Sequence, residues 1–150
     1  MQYITGFEHY QEEAGTAVTL GKFDGLHRGH RKLVERIMEH VEQEPDLKSV
    51  VCFFEMTEFK KMCHLDQKKL MMNEERAIRL DGRVDYLIEC PFLSVKEMEA
   101  EVFIEKILSD LFHAKYIVVG ENFRFGHERR GDVGMLAKYQ ETYGYRLEVI

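Results

Sequence analysis

The apolar, β-branched run Ala17-Val18-Thr19-Leu20 passes directly into Gly21-Lys22-Phe23-Asp24-Gly25-Leu26-His27-Arg28-Gly29-His30, and this junction constrains the fold more than any other stretch. A short apolar run, a glycine-rich turn and then helical periodicity describe a strand that ends in a tight loop and feeds a helix. Phosphates bind at such junctions. The first-turn N–H groups of the helix have no intrahelical partners, and the macrodipole adds partial positive charge. His27 and His30 are three apart, a spacing that puts both on one helix face within reach of one ligand. Gly29 between them lets a phosphate approach the backbone, and Gly25 can take the positive φ that a sharp turn needs.

Lys22, Arg28, Arg31 and Lys32 surround the histidines in a chain whose formal net charge is -6. This local reversal of sign points to a small anionic ligand, whereas nucleic acid would call for a whole basic face. The plainer reading, ordinary polar residues at a helix start, leaves the joint pattern of glycines, Asp24 and paired histidines without a reason. Zinc is a weaker reading still. No third ligand sits nearby at a typical spacing, and Cys52, Cys63 and Cys90 form no C-x-x-C pair, so no protein-held metal is expected.

Strands and helices alternate along the rest of the chain. The first strand is expected over 16–21, and a helix over 28–43 carries Leu33, Val34, Ile37, Met38 and Val41 at helical spacing. Pro45 and Asp46 break it. Ser49 to Phe54 reads as a buried strand, a helix runs from Asn73 to about Asp81 with Gly82 as its stop, and Val84 to Glu89 is the third strand. Ser94 and Glu97 form a capping-box pattern ahead of an apolar stripe, which predicts one helix over 95–112 with that stripe in the core. A fourth strand over 114–120, a helix from the cap Asp132 to about Tyr143 and a fifth strand over 145–150 complete the reading. The fold class is therefore α/β, a parallel sheet of about five strands with helices on both faces. Ligands then collect beyond the carboxyl ends of the strands.

At 150 residues and 45% hydrophobic, the chain suits a single domain with a sizeable core. No run approaches the roughly 18 apolar residues of a membrane helix, and the start Met-Gln-Tyr-Ile-Thr-Gly-Phe-Glu lacks the basic region of a secretory signal. A cytoplasmic protein with no membrane or nucleic-acid partner is expected. The odd number of cysteines, without framework spacing, favours free thiols packed as small hydrophobes.

Gly21 to His30 resembles the signature of the HxGH nucleotidylyltransferase superfamily, in which a Rossmann-like domain transfers a nucleotidyl group. A second stretch, Gly120-Glu121-Asn122-Phe123-Arg124-Phe125-Gly126 followed by Arg130-Gly131-Asp132, resembles a motif of the FMN adenylyltransferase module of bacterial bifunctional riboflavin kinase/FAD synthetases. Val84-Asp85-Tyr86-Leu87 with Pro91-Phe92 also fits that module, and the resemblance runs from about residue 16 to the end. It implies transfer of AMP from ATP to FMN, giving FAD and pyrophosphate, with Mg2+ entering alongside ATP.

His27 and His30 are then the catalytic candidates, and Gly21, Lys22, Phe23, Asp24, Gly25, Gly29, Gly120, Asn122, Phe123 and Arg124 the nucleotide-binding ones. Asp24 either bonds a ribose hydroxyl or orients a donor, or else is simply an Asp favoured by turn geometry. Asn122 both donates and accepts, which suits a heterocycle edge or ribose, and Phe123 and Phe125 can flank a ring, one of them being plain core. Phe54, Glu55 and Phe125 are the flavin-side candidates. Arg124, Arg129 and Arg130 are either a solvated loop or meet phosphates.

Three departures from the family pattern stand out. Phe54-Glu55-Met56-Thr57-Glu58-Phe59 occupies the place of a segment that usually reads like Asp-Pro-His-Pro. The chain also ends before the Ser/Thr-rich, Arg-containing motif that completes the ATP site, and the riboflavin kinase domain is absent. A shortened form of a longer protein, with the kinase domain carboxyl-terminal to it, is expected. Two alternatives stay open, a related HxGH transferase acting on another phosphorylated small molecule and a catalytically silent nucleotide- or flavin-binding module.

Overall fold

The computed structural model describes residues 2–21, 27–55 and 84–150. Within them one sheet runs through β1 (Gln2–Thr5), β2 (Thr16–Gly21), β3 (Lys48–Glu55), β4 (Tyr86–Pro91), β5 (Ala114–Val119) and β6 (Arg146–Val149). Every pairing is parallel, and the spatial order is β1-β4-β3-β2-β5-β6. Thr16 to Leu20 of β2 and Ser49 to Phe54 of β3 are buried without alternation. Unbroken burial means that both sheet faces are covered there, as expected of a parallel α/β sheet.

The sheet has one strand more than the sequence pattern suggested. β1 has only Tyr3 and Ile4 as apolar residues, too few for a periodic signal, and exists through its pairing with β4 from Gln2↔Tyr86 to Thr5↔Glu89. The third expected strand also begins two residues later, at Tyr86. Asp85 is engaged in a reciprocal clamp instead: its carboxylate accepts from the Ser49 N–H at 2.9 Å, while its own N–H donates to Ser49 Oγ at 2.8 Å. The Asp85 carbonyl accepts from the Gln2 N–H at 2.9 Å, so one residue ties the amino ends of β1, β3 and β4.

Helix α1 (His27–Gln43) matches the expected helix and packs on β2, β3 and β5. Leu33, Val34 and Ile37 are buried, with Met38 and Val41 partly so. At about 1.5–3 kcal/mol for each fully buried large aliphatic side chain, this stripe outweighs any propensity term in seating the helix.

The single helix expected over 95–112 is two. α2 (Phe92–Val95) is followed by a turn, and α3 starts at Ala100–Phe103 and continues with π-helical bonding through Ile104–Leu111. Ser94 lies inside α2, and Glu99 precedes α3 without a side-chain cap bond, so the Ser94/Glu97 pattern does not start the helix. The reason is tertiary. The Met98 N–H donates to the Val95 carbonyl at 3.0 Å and the Met98 carbonyl accepts from the His127 N–H at 2.7 Å, bonds that a continuous helix would consume. Phe103, Ile104, Ile107 and Leu108 are in the core, as their spacing predicts.

Asp132 caps α4 (Val133–Lys138) as expected, its carboxylate accepting from the Met135 N–H at 2.9 Å. The helix loosens at Tyr139 before α5 (Gln140–Tyr143), because Gln140 bonds the Ala137 carbonyl with its side-chain amide and receives the Leu147 N–H. Gly144, at φ +73°, ends it. The fifth expected strand is β6, one residue shorter at each end. Among the described residues no helix is long and apolar enough to cross a membrane. The helix expected over 73–81 and Cys63 lie outside the described residues.

Candidate functional site

The strand order fixes where a ligand can sit. From β2 the chain steps to β3 and β4 on one side of the sheet, whereas β5 and β6 lie on the other side of β2. The strand order therefore reverses between β2 and β5, and in open parallel sheets ligands bind beyond the carboxyl ends of the strands at such a switch point. β2 ends at Gly21 and β5 at Val119, next to Gly120. Gly21 and Gly120 thus stand at the carboxyl ends of the two neighbouring strands.

On the β2 side, α1 begins at His27, so His27, Gly29 and His30 occupy its first turn, where backbone N–H groups lack helical partners. Arg31 and Lys32, one turn further, are exposed. Lys22, Phe23, Asp24 and Gly25 lie outside the described residues.

On the β5 side, Gly120 has open space where a Cβ would stand, with no heavy atom within 4 Å. Neither a neighbour nor a positive φ requires glycine there, and the residue leaves a clear approach to the end of β5. The other two glycines of this motif have packing reasons. A Cβ on Gly126, at φ +80°, would lie 2.7 Å from the Ala100 Cα, and one on Gly131 would lie 2.6 Å from the Phe125 ring. Phe125 and Gly131 exchange backbone hydrogen bonds at 2.8 and 3.2 Å, closing residues 126–130 into a loop.

Asn122 and Arg124 are exposed, and Phe123 is half-buried. Arg124 Nη1 lies 3.6 Å from Asp132 Oδ2, so the carboxylate that caps α4 also steadies this arginine. Phe54, Phe103, Phe123 and Phe125 form one aromatic cluster. Phe123 lies parallel to Phe54 at 6.5 Å and to Phe125 at 5.5 Å, and Phe103 tilts against Phe125 at 5.6 Å. Phe54 and Phe125 are buried, so Phe123 is the one of the three described phenylalanine candidates that reaches the surface. Glu55 ends β3 opposite Pro91.

Phe54, Val95, Phe103 and Phe125 floor a small cavity of about 50 Å³ whose remaining lining is Lys96, Gly126, Arg124 and Arg129. Sequence reasoning missed Lys96 here, since nothing local marks it, and treated Phe103 only as core. A wider open cleft of about 790 Å³, lined among others by Asp46, Lys115 and Arg146, lies at the opposite, amino-terminal end of β3, β5 and β6. Ligands in this architecture bind beyond the carboxyl ends of the strands, and the smaller cavity is the one at that end. Among the described residues no group of three or more His, Cys, Asp or Glu side chains is placed to hold a metal ion.

A wholly parallel sheet whose order reverses between β2 and β5, with a long helix after β2, defines a Rossmann-like α/β domain. Residues 9–150 match the FAD synthetase family, and the chain belongs to it. The bifunctional riboflavin kinase/FMN adenylyltransferase of Buchnera aphidicola subsp. Acyrthosiphon pisum (strain APS) is 32% identical over 154 aligned positions, covering 100% of this chain and 48% of that protein. Its counterpart from Escherichia coli (strain K12) is 31% identical over 97% of this chain and 48% of its own length. The chain spans about half the length of these curated relatives. A solved structure from Streptococcus pneumoniae, described as a macrolide-efflux protein, superposes with a TM-score of 0.76 over 99% of this chain and 49% of that one. At 21% identity that likeness establishes the fold.

Proposed function

We propose that the chain is an FMN adenylyltransferase domain that transfers AMP from ATP to FMN, giving FAD and pyrophosphate. The observation that supports the reading is that β2 and β5, on either side of the switch point, end at Gly21 and next to Gly120, in a chain of the FAD synthetase family. An FMN phosphate oxygen attacks the α-phosphorus of ATP, the bond from that phosphorus to the bridging oxygen breaks, and pyrophosphate leaves with the electron pair. A phosphate monoester is already largely ionised at neutral pH, so no side-chain nucleophile or strong base is required. Positioning and charge stabilisation remain.

In this reading His27 and His30 donate to phosphate oxygens as charge builds on the departing pyrophosphate. Gly21, Lys22, Phe23, Asp24, Gly25 and Gly29 form the phosphate loop, and Gly120, Asn122, Phe123 and Arg124 receive the rest of the nucleotide. Phe54, Glu55 and Phe125 form the flavin side. No side chains are assigned to Mg2+, which would enter with ATP and would supply charge neutralisation at the phosphates. The domain works in the cytoplasm as one module, residues 1–150, of a longer protein with a riboflavin kinase domain carboxyl-terminal to it.

Calorimetry with ATP and magnesium, flavin fluorescence titration and chromatographic detection of FAD test the reading together. Heat on ATP addition, tighter binding of FMN than of riboflavin and FAD formation are expected. No heat and no thermal shift at millimolar nucleotide would overturn it. A second reading, transfer to a different phosphorylated small molecule, is favoured by Phe54-Glu55-Met56-Thr57-Glu58-Phe59, which lacks proline and histidine. Clear ATP binding with no flavin binding selects that one.

A further inference from the structure

The cations around the aromatic-floored cavity are not equivalent. Lys96 Nζ lies 3.7 Å from Glu97, and Arg124 is held by Asp132 at 3.6 Å. Arg130, just outside the lining, is taken up by Glu99 at 3.6 Å and Glu128 at 3.2 Å. Arg129 has no carboxylate partner among the described residues. It is exposed, and it lines the cavity.

Its backbone is held in an unusual state. Glu128 and Arg129 both adopt left-handed conformations, at φ 55° and 57°, which costs non-glycine residues about 1–2 kcal/mol each. Local contacts enforce it. The Arg129 N–H donates to the Gly126 carbonyl at 3.0 Å, the His127 N–H to the Met98 carbonyl at 2.7 Å, and the Phe125–Gly131 bridge closes the loop. The His127 ring is fixed among Glu97 at 3.2 Å, Glu99 at 3.6 Å and Glu128 at 3.8 Å. Strain over-determined in this way is characteristic of ligand clamps. Here it presents a guanidinium that has no carboxylate partner among the described residues, on the lining it shares with Phe54, Phe103 and Phe125.

A guanidinium fork matches two oxygens of a phosphate monoester through parallel charge-assisted bonds, and it gains far less from an uncharged hydroxyl. We infer that Arg129 determines specificity for the phosphorylated flavin, holding the FMN phosphate so that the site prefers FMN to riboflavin. The inference rests on the reading of the chain as an FMN adenylyltransferase domain. Lys96, beside Glu97, and Arg124, beside Asp132, already have a carboxylate partner.

The test is fluorescence titration of FMN and of riboflavin into this chain and into Arg129→Gly, Arg129→Ala and Arg129→Lys. Glycine adopts the left-handed backbone freely, so Arg129→Gly removes the guanidinium without endangering the fold. FMN binding is expected to weaken about 10- to 100-fold in the Gly and Ala variants, the scale of a hydrogen bond to a charged group. Riboflavin and ATP binding stay unchanged, and Arg129→Lys recovers part of the FMN affinity. Equal loss for both flavins, loss for ATP in place of FMN, or undiminished FMN preference would overturn the role of Arg129 while leaving the domain's function standing. A parent chain that binds neither flavin would remove both.

Discussion

Glu148 on the edge strand β6 accepts a hydrogen bond from Arg36 Nε of α1 at 2.7 Å. Its other carboxylate oxygen meets His40 Nε2, and the buried His40 ring stacks on Tyr116 of β5 at 3.8 Å and 14°. One carboxylate therefore bolts the edge of the sheet to the helix whose first turn contains His27 and His30. Burial opposes ionisation of Glu148, but the bonds from Arg36 and His40 outweigh it and hold the carboxyl below its ordinary value of 4.5. A lowered folded-state value contributes stability that is present above the unfolded value and lost as the pH falls through the folded one. Glu148→Gln is expected to lower stability by about 1 kcal/mol at neutral pH, with the difference closing below both values. Urea titrations across pH check this, and a pH-independent gap would assign the loss to packing.

Cys52 and Cys90 are buried free thiols on neighbouring strands. Burial pushes Cys90 up to about 12 and Cys52 well above the ordinary thiol range, so neither supplies thiolate near neutral pH. In a Cys63→Ser chain, a thiol reagent at pH 8 is expected to find no reactive group until denaturant is added. Rapid labelling of the folded variant would contradict the packing of both.

What was legible in the sequence was local. The run Ala17 to Leu20, the α1 stripe of Leu33, Val34 and Ile37, and the Asp132 cap each depend on residues within a few positions, and the structure has all three. The differences are set by distant partners. β1 needs β4, the interruption between α2 and α3 needs the His127 N–H at the Met98 carbonyl, and the cavity joins Lys96 to Arg129 across a turn, a helix and a strand. No periodicity carries such pairings. Motif glycines were also indistinguishable in sequence, whereas in space Gly126 and Gly131 serve packing and Gly120 faces open space.

That distinction predicts opposite behaviour for two substitutions. A Cβ at position 126 would meet Ala100 Cβ at 2.8 Å on a backbone at φ +80°, so Gly126→Ala is expected to cost about 2–4 kcal/mol through overpacking and strain. Gly120→Ala meets nothing within 4 Å and should change stability by less than about 0.5 kcal/mol. Its effect should appear as weakened ATP binding, because the methyl group occupies the approach to the end of β5. Thermal denaturation and ATP calorimetry on both variants decide it, and unimpaired nucleotide binding in Gly120→Ala would move the ligand away from this strand end.

The last prediction separates chemistry from binding. His27 and His30 sit in the first turn of α1, beside the unpaired amides of the helix start, whereas Asn122 is exposed on the loop beyond β5. A donor that tightens only as charge moves onto pyrophosphate lowers the barrier without equally stabilising bound ATP. His27→Ala and His30→Ala should each therefore lower kcat on the order of 100-fold, with KM for ATP little changed. A group that holds a ribose or ring edge sees little change between ground and transition state, so Asn122→Ala should raise KM and leave kcat nearly intact. Steady-state FAD formation in the three variants measures the split. Near-normal kcat in both histidine variants would take them out of the catalytic role and leave the helix amides to stabilise the leaving group.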